Sequence, residues 1–195
     1  MKFSLIRARA SVIAMLGAFS LCASSASGAE PGLATGFSGA LKGCQEWVLN
    51  PKSWVEGPEP FKAATGLGDR ITPLSKVGDF ALPPPALRQA NHYWRIDATP
   101  VAGFVLVTSD RLPMCHITGA GQGDFHTAIA SVLAGPAFQA QWEQTGEQLS
   151  GELTSTTFRS RAKPTFGLVV SRATQAGERP GGVQLVATAQ LDLAR

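Results

Sequence analysis

Histidine and cysteine are scarce in this chain: three of each among 195 residues. His92, His116 and His126 are 24 and 10 residues apart. Three histidines could hold a zinc ion with one position open, but this spacing matches no compact ligand signature and no H-x-x-x-H occurs. A metal site is therefore not expected. The chain also lacks G-x-S-x-G, the strand-to-helix elbow that presents a nucleophilic serine in α/β-hydrolases. The glycine-rich run GAGQGD, Gly119 to Asp124, stands before a helical pattern. It lacks the Lys-Ser/Thr end of a P-loop and the full G-x-G-x-x-G pattern, so it reads as a flexible lead-in to a helix. No cofactor is expected.

Excess charge is the next thing missing, once the N-terminus is set aside. Lys2, Arg7 and Arg9 give a basic start, Ser11 to Leu21 is apolar, and Ala23 to Ala29 is small and flexible. That order is a secretory signal peptide, expected to be cut after Ala29. Its apolar run is too short for a permanent anchor, which needs about 20 residues. Cys22 follows Leu21, whereas a lipidated cysteine follows Gly, Ala or Ser, so a lipoprotein is not expected. The 17 basic residues less the three in the leader leave 14, against 14 acids. A neutral mature chain gives no support to nucleic acid, which asks for clustered basic residues, or to an anionic membrane surface. No later run is long and apolar enough to span a bilayer.

What remains, residues 30–195, is the size of one domain with a real core. Its two cysteines, Cys44 and Cys115, are expected to form one disulfide in an oxidising compartment, so the protein is expected to be periplasmic or secreted.

Phe37, Leu41, Cys44 and Val48 recur at the period of a helix face. Gly39 and Gly43 weaken that helix, and Asn50-Pro51 ends it. Residues 51–90 are rich in Pro and Gly but carry Trp54, Phe61, Ile71, Leu74, Val77, Phe80 and Leu82, and so read as an ordered meander lying on the domain, with short helices near Pro60 to Ala64 and near Pro85 to Ala90. HYWRIDAT alternates as a strand, FVLVTS is apolar on both faces as a covered central strand, and MCHIT is a short third strand. Asp124 is a good N-cap for a helix whose inner stripe is Phe125, Ile129, Val132 and Leu133. Gly135-Pro136 breaks it, and Phe138 and Trp142, four apart, continue the stripe. Three more strand-like segments follow, the last with Val183, Leu185, Ala187, Ala189 and Leu191 facing inward. The expected fold is α+β: a mostly antiparallel sheet of five to six strands packed with two main helices. The expected order is helix, meander, three strands, helix, three strands.

The stretch SDRLPMCHITGAG, Ser109 to Gly121, concentrates the reactive side chains. If MCHIT is a strand, Cys115 faces the first helix and His116 faces away, exposed or under the meander and dispensable for folding. Asp110 and Arg111 sit at a corner between strands, either as a turn or as a polar pair at a pocket mouth. A triad of Ser109, Asp110 and His116 would not converge without a bulge. Trp47, Trp54, Trp94 and Trp142, with Tyr93, could line a sugar or peptide face, although Trp47 and Trp142, at helical spacing, are more often core.

The combination of a signal peptide, an early helix with one Cys, NHYWRID, GFVLVTSDRLPMCHITG and a following helix resembles a group of exported proteins of Gram-negative bacteria with no established activity. The resemblance is carried mainly by Gly103 to Gly119. It implies export and a shared fold, and carries over no catalytic residue. Two functions fit this sequence. One is a non-catalytic periplasmic module that binds a small molecule, a peptide or an envelope protein. The other is a small periplasmic hydrolase with Asp110, Arg111 and His116 at its site. Convergence separates them, since an enzyme needs these groups within hydrogen-bonding reach in a cleft, while a binding module needs only an apolar groove.

Overall fold

The computed structural model describes residues 30–51, 55, 57–151, 153–173 and 182–192. The expected leader, Trp54 and residues 174–181 lie outside them. Helix α1 spans Pro31–Leu49. Pro31 stands in its first turn, where the missing N–H has no intrahelical partner to lose. Phe37, Leu41, Cys44 and Val48 are all buried, as the periodicity requires. Burial extends beyond that stripe, because Leu33, Ala40 and Trp47 are buried too. The helix lies inside the molecule, between the sheet and the chain that follows it.

Gly39 and Gly43 explain how that is possible. A Cβ on Gly39 would stand 2.6 Å from Leu67 Cγ, and one on Gly43 would stand 2.9 Å from both Phe61 Cε2 and Thr65 Cγ2. The glycines that lower helix propensity are the ones that let α2 (Glu59–Thr65) and Leu67 close over α1. The segment expected to be a meander holds its first expected short helix, near Pro60 to Ala64, as α2, and only a 3-10 turn where the second was expected, near Pro85 to Ala90. It also contains a strand, β1 (Ile71–Leu74), and short 3-10 turns at Gly68–Arg70, Asp79–Ala81 and Pro85–Leu87.

Strands β2 (Asn91–Asp97), β3 (Ala102–Ser109) and β4 (Met114–Gly121) follow as expected. Helix α3 (Phe125–Ala134) is capped by Asp124, whose carboxylate accepts from Thr127 N at 2.8 Å. Gly135-Pro136 starts α4 (Pro136–Gln141). The helical stripe stops there. Trp142 is the first residue of β5 (Trp142–Ser150), and β6 (Leu153–Ser160), β7 (Phe166–Ala173) and β8 (Val183–Leu191) complete the chain.

The fold is α+β with one antiparallel sheet, but of eight strands and not five to six, and with four helices. Strand order is β1-β2-β3-β4-β8-β7-β6-β5. Two four-stranded meanders therefore meet where their last strands, β4 and β8, pair in the middle of the sheet. One face carries Trp94, Ile96, Phe104, Leu106, Cys115, Ile117, Leu185, Ala187, Leu168 and Phe158 against the helices, in a single hydrophobic core. Cys44 on α1 and Cys115 on β4 are joined by a disulfide, with Cα atoms 5.6 Å apart. It ties the buried helix to the centre of the sheet, since Cys115 stands opposite Thr108 on one side and Ala189 on the other. Among the described residues no helix is long and apolar enough to cross a membrane.

Candidate functional site

Side chains on the sheet alternate, and this alternation separates the residues singled out in the sequence. Asp110 and Arg111 lie in the turn between β3 and β4. Ser109 builds that turn: its hydroxyl donates to Gln89 O and accepts from Arg111 N at 3.1 Å and Leu112 N at 3.0 Å. A buried hydroxyl with three backbone partners is a structural pin, not a free nucleophile. The Asp110 carboxylate does not cap the turn. Its Oδ2 meets His92 Nε2 at 2.7 Å, because β2 pairs with β3 so that His92 stands opposite Thr108, two residues before Asp110. Trp47 lies beneath, its ring centroid 5.4 Å from that of His92 and its Nε1–H donating to Ser109 O. Beside the turn is a cleft of about 450 Å³, with Val48, Pro113 and Leu191 as apolar wall and Asp110, Arg111 and Lys163 as charged groups.

His116 belongs to a different place. It faces away from α1, as alternation demands, opposite Val107 and Thr188. It is not exposed: only 4% of its surface reaches solvent. Nδ1 lies 2.9 Å from Thr188 Oγ1 and Nε2 lies 3.3 Å from Thr118 Oγ1. A neutral imidazole has one donor and one acceptor, and a threonine hydroxyl can serve either, so this trio satisfies itself. Burial pushes the His116 pKa down from 6.5 to about 4. Of its two expected positions, exposed or under the meander, His116 takes the second, and a buried ring with two hydroxyl partners counts against its being dispensable for folding. The segment before β2 covers this face, with Ala81 and Pro83 buried, Ser109 bonded to Gln89, and Asn91 Nδ2 donating to Leu87 O. Among the described residues no hydrogen bond links His116 to Asp110 or Arg111. The triad of Ser109, Asp110 and His116 does not assemble. His126 is elsewhere again, with Nδ1 2.9 Å from Ala173 O. Among the described residues no three His, Cys, Asp or Glu side chains are placed to hold a metal.

An apolar concavity that the sequence did not reveal lies against α1. Ser38, Leu41, Lys42, Gln45, Glu46 and Leu49 fall on one side of α1, at steps of three, one, three, one and three. The α3–α4 junction and the start of β5 approach that side without closing on it. Between them is an open slot of about 230 Å³, walled by Leu41, Val132, Pro136, Phe138 and Trp142. Phe138 and Trp142 stack, with centroids 6.0 Å apart and planes 20° apart, and Phe138 meets Phe158 edge-on at 5.0 Å. This rigid aromatic wall is fixed by the core behind it. Next to the slot is a wider chamber of about 720 Å³ bounded by Glu46, Leu49, Ala64, Ser160 and Arg161. Lys42, Gln45 and Gln141 line both spaces, and Gln45 Nε2 donates to Gln141 Oε1 at 3.1 Å on their shared border.

No family model matches the chain, and no curated protein or solved structure is significantly similar to it. The functional reading therefore rests on the geometry of these three places.

Proposed function

We propose that the protein is an exported, non-catalytic binding module whose site is the groove between α1 and the α3–α4–β5 turn. The observation that carries this reading is the slot itself: an apolar, solvent-open space walled by preformed aromatic side chains and bordered by a few polar groups. That is the general character of small-molecule sites. The groups an enzyme would need are apart, since His116 is bonded to two threonines on the far face while Asp110 and Arg111 sit at the β3–β4 turn. Export is supported by the leader pattern and by the disulfide, a bond typical of oxidising compartments.

The rival reading, a small hydrolase, draws on one specific contact. With His92 in place of His116, Asp110 has an imidazole at 2.7 Å beside a cleft that also holds Arg111. An Asp–His pair can hold and move a proton. Ser109 is already engaged by three backbone groups, so it does not serve the pair as a nucleophile.

The test is to isolate the exported protein, confirm by intact mass that it begins at Glu30, and identify by mass spectrometry any small molecule it retains. Ala137 lines the slot and is exposed, so Ala137→Trp is a plug. A retained molecule that is lost in Ala137→Trp supports the groove. Ester hydrolysis by the wild type that is abolished by Asp110→Asn and untouched by Ala137→Trp would replace this reading with the hydrolase.

A further inference from the structure

The two ends of the groove differ in chemistry, and the difference selects a ligand class. The slot end is apolar. The chamber end holds three charged side chains: Lys42, Glu46 and Arg161. Glu46 keeps its negative charge, one oxygen, Oε1, accepting from Asn50 Nδ2 at 2.9 Å. Arg161 is held in place by its Nε–H, which donates to Gln139 O at 3.0 Å, and by its backbone N, which donates to Gln141 O at 2.9 Å. Its terminal nitrogens have no protein acceptor among the described residues. Lys42 is exposed, with no acceptor among the described residues either, and it borders both slot and chamber. A pre-positioned guanidinium and a mobile ammonium against one carboxylate leave a net positive charge at this end, which favours an anionic group. We infer that the occupant of this groove is a single-chain amphiphile with an anionic head, its chain in the slot beside Leu41 and Phe138 and its head at Lys42 and Arg161. This inference rests on the binding reading above.

The dimensions agree. The slot alone, about 230 Å³, is smaller than the usual range for a small-molecule site, roughly 300–1,000 Å³, whereas the chamber beside it, about 720 Å³, falls within that range. A ligand that used only the apolar slot would be held by few atoms. One that also crosses the Gln45–Gln141 border gains the charged end. That amide pair is exposed and its bond is between neutral groups, so a head passing over it displaces little.

The experiment is calorimetric titration of the processed, disulfide-bonded protein with defined probes below their micelle concentrations: octanoate, decanoate, decanol and decyltrimethylammonium. Decanoate should bind more than tenfold tighter than decyltrimethylammonium. Each added methylene should tighten binding about fourfold until the slot is full, from about 0.8 kcal/mol per buried methylene. The double variant Lys42→Glu and Arg161→Glu should weaken decanoate at least tenfold and leave decanol unchanged, with unaltered thermal unfolding as the check on folding. Ala137→Trp should abolish both. If decanol and decanoate bind alike and the double variant affects neither, the anionic head is wrong while the groove reading stands. If Ala137→Trp binds every probe as the wild type does, or if no probe binds the wild type, the chain does not enter the slot and the inference falls.

Discussion

Acidification should destabilise this fold through one residue, His116. Its imidazole is 4% exposed, and burial pushes its pKa from 6.5 down to about 4. Buried charge is disfavoured, so the folded chain keeps His116 neutral while the unfolded chain takes up a proton as pH falls through 6.5. Stability is therefore whole above that value and drains away between 6.5 and about 4, because the unfolded state binds more protons throughout this window. With those two pKa values, linkage gives a loss of about 2 kcal/mol between pH 7 and pH 5, and about 3 kcal/mol by pH 4. Domains of this kind have about 5–15 kcal/mol in total, so the loss is easily measured.

Asp124 also shifts, but outside the pH 7 to 5 window. Asp124 is partly buried, which opposes its charge. Hydrogen bonds from Thr127 and the amide of His126, and the nearby His126 ring, nonetheless hold it below its ordinary value of 3.8. Its effect on stability lies below the window, at more acid pH. The assay is urea unfolding followed by tryptophan fluorescence at pH 7 and pH 5, for the wild type and for His116→Gln. The amide of Gln can still bond Thr188 and Thr118, but it does not titrate. Whatever its own cost at pH 7, the variant's stability should change by under about 0.5 kcal/mol across the window. A wild type that loses as little, or a variant that loses as much as the wild type, would show that His116 is not a buried neutral imidazole and would refute the reasoning.

Three further outcomes follow from the same contacts. Protein taken directly from the oxidising compartment should show no free thiol at Cys44 or Cys115 on unfolding, and Cys115→Ser should cost about 4 kcal/mol by the loop-entropy estimate for a separation of 71 residues. Hydrogen exchange should then rise first in α2 and β1, which lie inside that loop. Ser109→Ala should cost about 2 kcal/mol in urea unfolding, because it leaves the Arg111 and Leu112 amides and Gln89 O short of a partner. Gly39→Ala should destabilise by about 1–2 kcal/mol, overpacking outweighing the gain in helix propensity; combining it with Leu67→Ala should recover part of that loss in a double-mutant cycle, since Leu67 is what the new methyl meets.

Much of the fold was legible because it depends on local period. The α1 stripe, the Asp124 cap and the alternation of β2 and β4 each follow from side chains a few residues apart. The two missed strands are the two edges of the sheet, and each lacks the usual signal for its own reason. β1 is four residues long and contains Pro73, which lacks the N–H a central ladder needs, so it survives only at the sheet edge. In β5 every residue after Trp142 is exposed, so the alternation that marks a half-buried strand is absent. With Phe138 four residues earlier, Trp142 mimicked a helix face. The position of His116 was legible to the extent of its face. Its burial was not, because that depends on where Ala81 to Ala90 crosses the sheet. The partner of Asp110 was missed for want of a register: only the β2–β3 pairing brings His92 within reach.

The groove was hidden for a related reason, and its cause bears on function. The outward residues of α1 could have been read from the helix period, but what stands opposite them depends on the route of the chain after α3. Gly135-Pro136 ends α3, and α4 has only six residues before Trp142 turns into β5. A longer helix there could have covered Leu41 and Lys42 as α2 covers Gly39 and Gly43. The short one instead turns Phe138 and Trp142 inward, into contact with Phe158 and Phe166, and leaves their edges as a wall facing α1. The core thus holds the wall rigid without filling the space in front of it. A site supported this way needs little rearrangement to accept a ligand, and binding to it loses little to the ordering of side chains.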